Sequence, residues 1–177
     1  MRWGINWYAD NKLNEIPAGD ITDHLGSFFQ TLVHKQFASV SELREVRTVL
    51  PALLSWLHIQ GHLDAETTTS EIEELKGRID EYIDLRKFVD TLSDQVSHQG
   101  FEHEWGGGDD SVSNRYLRIG EVTDNSITFE DWDETIVGPI TVPPKVAKLA
   151  SPGWEILLSA VCVDGEWRLL EVVNGEI

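Results

Sequence analysis

Glu130-Asp131-Trp132-Asp133-Glu134 sets four carboxylates around one indole. Calcium chemistry needs alternating oxygen ligands and a sharp glycine turn, and this run has neither. A large apolar ring with charges at its rim has instead the composition of an interface anchor, and its acids fit a protein partner with a basic surface. A second group, His98, Glu102, His103 and Glu104, offers two imidazoles and two carboxylates. Such donors suit a divalent metal, either simply held or used to activate water in a hydrolase. His58 and His62 have the spacing of a helical metal pair, but Ile59 stands where the metalloprotease pattern needs Glu, and Gly61 ends the helix between them. Gly106-Gly107-Gly108 is followed by Asp109-Asp110 rather than Lys-Ser/Thr, so it is no phosphate loop. Neither a Gly-x-Ser-x-Gly elbow nor a dinucleotide fingerprint occurs. No enzyme and no cofactor is implied.

Charge narrows the partners. The chain of 177 residues carries 14 Lys and Arg against 31 Asp and Glu, a formal net charge of −17. Residues 1–112 and 113–177 are both acidic, at −11 and −6, so neither hides a basic domain. Phosphate contacts need clustered Lys and Arg, which disfavours nucleic acid, and an anionic membrane is disfavoured for the same reason. Tyr116, Phe129 and Trp132 suggest a stacking face for single-stranded nucleic acid. Only Arg115, Arg118, Lys145, Lys148 and Arg168 would supply its positive groove. Solubility, adaptation to high salt and a basic partner each account for the acidity. Cys162 is the only cysteine, which excludes an internal disulfide and a thiolate zinc cluster. No apolar stretch approaches 18 residues and Met1–Trp7 lacks a signal-like run, so a soluble cytoplasmic protein is expected.

The elements that position these residues follow from periodicity. Hydrophobic residues make up 41% of the chain, with seven tryptophans, enough for a real core. From Asp20 to Gln99 the period is helical. Asp20 caps a helix carrying Ile21, Leu25, Phe28, Phe29, Leu32 and Val33. Ser39–Glu42 is a capping box opening a second helix with the stripe Leu43, Val46, Leu50, Leu53 and Leu57, which Pro51 should kink or split. Ser70–Glu73 is a second box, opening a third helix whose near-heptad face over 72–96 offers a route to a homodimer. After the glycine run the period becomes two. Tyr116–Val122, Ile127–Phe129, Ile136–Val142, Trp154–Val163 and Trp167–Val173 read as strands, and Asp164-Gly165 as a tight hairpin turn. The expected fold is therefore α+β. A helical bundle at 1–104 and a glycine-rich linker at 105–112 precede a small five-stranded antiparallel β-barrel, SH3-like or OB-like, at 113–177.

Phe28-Phe29-Gln30-Thr31-Leu32, then Ser39, Leu43 and Val49-Leu50-Pro51-Ala52-Leu53-Leu54-Ser55-Trp56-Leu57 up to Gly61, resembles the helical core-binding domain of tyrosine recombinases. The resemblance implies a helical bundle. That family's catalytic Arg, His and Tyr constellation has no counterpart here, so no functional residue carries over. The expected function is a non-enzymatic interaction or regulatory module. Metal binding at His98–Glu104 and single-strand binding by the barrel are the alternatives.

Overall fold

The computed structural model describes residues 39–98 and 110–177. The helix expected from Asp20 lies outside the described residues, as do Glu102, His103, Glu104 and the glycine run.

Helix α1 spans Val40–Ile59. Ser39 and Glu42 form the expected reciprocal cap: the Glu42 amide donates to Ser39 Oγ (3.3 Å) and the Ser39 amide to Glu42 Oε2 (2.6 Å). Leu43, Leu50, Leu54 and Leu57 are buried. Two expectations change here. The helix is not split at Pro51, which sits within its 20 residues while Ser55 Oγ donates to the Pro51 carbonyl (2.8 Å). Leu53, placed on the inner stripe by spacing, is partly exposed beside Val49, Trp56 and Ile59. Gly61 at φ 81° closes the helix: its amide donates to the His58 carbonyl and that of His62 to the Leu57 carbonyl, a turn that L side chains resist. His58 Nδ1 meets the Leu63 carbonyl at 2.9 Å, which ties the ring into this turn.

Helix α2 runs from Ala65 to His98, starting before the Ser70 box. Asp64 is the reason. Its Oδ1 accepts from the Thr67 amide (2.8 Å) and its Oδ2 from the Thr67 hydroxyl (2.7 Å). Thr68 and Thr69 then donate to carbonyls four residues back, so a β-branched run that reads as poor helix is accommodated. Leu54, Leu57, Leu63 and Leu75 form one buried cluster, with Ile72 against it. Arg47 holds Asp80 through Nε (2.6 Å) and Nη2 (2.9 Å). By contacts the chain divides into two units between Asp80 and Glu81, inside α2. Much of the near-heptad face is already buried within the chain: Leu75, Ile79, Tyr82, Ile83, Leu85, Phe88, Val89 and Leu92.

The second unit holds a five-stranded mixed sheet. Its strands are β1 (Asp110–Val122), β2 (Ser126–Glu130), β3 (Ile136–Thr141), β4 (Glu155–Val163) and β5 (Glu166–Glu176). A single turn of helix, α3 (Pro144–Ala147), lies between β3 and β4. Bonding order is β1-β2-β3-β5-β4, and β4 returns to β1, so the sheet closes on itself. The expected all-antiparallel arrangement is corrected at one seam: Ile140 of β3 pairs with Trp167 of β5 in parallel. Because β4 crosses over to pair with β1, the β4–β5 hairpin carries β5 back beside β3 in the same direction. β1 also starts earlier than expected, within the predicted linker, because Asp110, Ser111 and Val112 pair with Cys162, Val161 and Ala160. The β4–β5 turn is as expected, with Asp164 and Gly165 both at positive φ (54° and 78°). Leu117, Ile119, Ile127, Phe129, Ile156 and Leu158 are fully buried in the sheet's core. Residues 81–98 of α2 pack on it. Phe88 meets Trp154 with ring centroids 6.1 Å apart, and a Cβ on Gly175 would lie 2.7 Å from Leu85 Cδ1.

Candidate functional site

The acidic run falls on the β2–β3 connection. Glu130 is the last residue of β2 and Ile136 the first of β3, so 131–135 form the loop. Its backbone closes through the Asp131 amide to the Thr135 carbonyl (2.9 Å) and the Glu134 amide to the Asp131 carbonyl (3.0 Å). Glu134 sits at φ 65°.

The acids divide by role. Asp131 turns inward, with a side chain only 9% exposed, and pairs with the Arg115 guanidinium of β1. Its other oxygen accepts from the Trp132 amide at 2.7 Å. Asp133 accepts from the Thr135 amide (3.0 Å), and its bonds to Thr135 hold its carboxyl below the usual range. Glu130 Oε2 accepts from Arg118 Nη2 at 3.2 Å. With the loop fixed this way, Trp132 stands 79% exposed and Ile136 52% exposed. An indole and a neighbouring aliphatic chain, rimmed by Asp133 and Glu134, can take up a cationic or amphipathic group by ring-face attraction and apolar contact.

The sheet continues this surface. Arg118 is opposite Glu130 of β2 on one side and Glu155 of β4 on the other, and Glu155 is opposite Glu176 of β5. One row across four strands thus reads Glu130, Arg118, Glu155, Glu176. Tyr116, Leu157 and Asn174 form the next row on the same face. Desolvation raises the Tyr116 hydroxyl above its ordinary pKa, helped by its hydrogen bond to Glu176. Asn174 lies beside that hydroxyl and is only 5% exposed, yet its Nδ2 has no partner at hydrogen-bond geometry.

The sequence named the loop, and named Tyr116, Arg115 and Arg118 only as a stacking face and its groove; it did not single out Glu155, Asn174 and Glu176, which strand pairing sets in the rows beside them. Of the proposed metal set, His98 is the last residue of α2, and Glu102, His103 and Glu104 lie outside the described residues. Among the described residues no three His, Cys, Asp or Glu are grouped to hold a metal, and no helix is long and apolar enough to cross a membrane. A cavity of about 560 Å³ opens between α2, β3 and β5, lined by Gln95, Val96, Ile140, Glu166, Trp167 and Arg168 among others. Its acid and base face each other as an ion pair, Arg168 to Glu166 at 3.5 Å. Among its described lining residues there is neither a histidine nor a cysteine.

A scan against protein-family models and searches of curated proteins and of solved structures found no match to this chain.

Proposed function

We propose that this chain is a non-enzymatic protein-interaction module in which an OB-like barrel presents the β2–β3 hairpin to a basic partner. The strand order, the parallel β3–β5 seam and the helical turn between β3 and β4 favour an OB-like over an SH3-like arrangement. Barrels of this size carry function in loops held by a rigid sheet. The observation that carries the reading is Trp132: a large aromatic side chain 79% exposed on a loop whose every neighbouring acid is positioned by a named bond or by the turn itself. Leaving that ring in water has no value for folding, and its value at an interface is large.

The test uses the full chain as bait in native extract, beside a Trp132→Ala/Asp133→Asn/Glu134→Gln variant. A partner retained by the first and lost by the second, then shown to bind purified chain directly, supports the reading. Equal retention of every partner by both baits removes it.

A further inference from the structure

We propose that the outer stripe of α1, formed by Val49, Leu53, Trp56 and Ile59, pairs two copies of this chain about a two-fold axis. The pairing does not rest on the β2–β3 hairpin being a docking site.

Among the described residues seven large apolar side chains are exposed, and four of them stand between Val49 and Ile59. They are 61%, 36%, 47% and 76% exposed in turn. Their spacing of three and four residues sets them on one side of the helix, beside its buried face. Together they expose on the order of 400 Å² of apolar surface, a patch of the size that is often functional on a soluble chain. The near-heptad face of α2 is not open to a second copy, because most of it is buried within the chain.

Charge selects the occupant. From Thr48 to Leu63 there is no Asp, Glu, Lys or Arg, although these make up 25% of the chain. Such a stretch offers nothing to a charged partner, and it is where two copies at −17 can approach with least repulsion. The hydroxyls along it are already satisfied. Thr48 Oγ1 donates to the Arg44 carbonyl (3.2 Å) and Ser55 Oγ to the Pro51 carbonyl (2.8 Å). Covering the helix here therefore leaves neither donor unpaired.

The order of side chains selects a copy over an unlike helix. The stripe is symmetric about Ala52 and Leu53. In an antiparallel pair centred there, Trp56 of each copy covers Val49 of the other, and Leu53 meets its own counterpart. Exposed Ala52 is small enough to let the two helices close. Glu45 falls opposite Gln60, so this rim sets no acid against an acid. Two stripes and their rims reach a total of about 1,000–1,200 Å², the lower end of specific interfaces. The pair is accordingly reversible, with a Kd of about 1–100 µM.

The experiment is sedimentation equilibrium of the full chain from about 2 to 200 µM, a range that brackets this Kd. A monomer–dimer equilibrium is expected, and Val49→Gln/Trp56→Gln should weaken it at least tenfold. Ala52→Asp, which sets two acids face to face at the centre of the pair, should do the same. All three positions are exposed, and unchanged far-UV dichroism verifies that the helices persist. Added salt should tighten the pair by screening the charge of each copy. Trp132→Ala should leave it unchanged, which separates this surface from the hairpin. A chain that stays monomeric throughout overturns the pairing and leaves the stripe to residues 1–38 or to a different protein. A dimer that survives both α1 variants, that weakens with salt, or that Trp132→Ala abolishes overturns it as well, because its interface then lies elsewhere.

Discussion

Asp131 and Trp132 are neighbours in sequence and opposites in exposure, because Arg115 claims one and nothing in the loop claims the other. Trp132→Ala should therefore shift Tm by less than about 1 °C, as exposed substitutions do, while abolishing partner capture. Scanning fluorimetry beside the capture assay checks both halves. Tyr116 gives a pH prediction. Its hydroxyl titrates above its ordinary value in the folded chain, so its contribution is complete below the unfolded pKa near 10 and is lost as pH rises through the higher folded value. Urea unfolding at about pH 9 and pH 11 should show wild type losing more stability across that interval than Tyr116→Phe. At this scale the sequence made the loop legible, since five adjacent residues carry the pattern. The pairing of Arg115 with Asp131 and the place of Asn174 were not legible, because only the folding of the strands sets them there.

Caps make the helices sensitive to acid. The Ser39 hydroxyl and amide hold the Glu42 carboxyl low, and the Thr67 amide and hydroxyl do the same for Asp64. Each depressed carboxyl contributes stability that is present above its unfolded pKa near 4 and disappears as pH falls through the folded value. Ser39→Ala should lose about 1 kcal/mol at neutral pH by urea unfolding; Asp64→Ala should also lose stability there, and that loss should shrink below about pH 3. Pro51 works against α1, having no amide to give and a ring set against the preceding turn. Pro51→Ala should gain about 1–2 kcal/mol, helix propensity being partly offset by a freer unfolded chain. Local signals read well here: the Ser39 box and the Asp164-Gly165 turn each depend on residues within a few positions. The start of α2 read poorly. Three successive threonines obscure the Asp64 cap, and the Ser70–Glu73 pattern is an internal segment of the helix.

The α+β class was legible in the molecule as a whole, from the change of period, whereas the mixed character of the sheet was not. The parallel Ile140–Trp167 pair joins residues whose relation depends on β4 crossing to β1, which no local spacing encodes. The role of α2 was half legible. Its apolar face was plain, but periodicity names a face and not what it meets. Phe88 is fully buried against Trp154, so Phe88→Ala should lose about 3–5 kcal/mol, measured by urea unfolding of the full chain. Gly175 is the complementary site: a methyl group there overlaps Leu85 Cδ1 and Ile156 Cδ1 and would push against the helix. That position also sets an order of events on the ribosome. Leu85, Phe88, Val89 and Leu92 are translated some 80–90 residues before the strand that carries Gly175, roughly 4–18 s at ordinary elongation rates. Over most of that interval the helix face lacks its cover; Trp154 arrives first, and β5 completes the shelter.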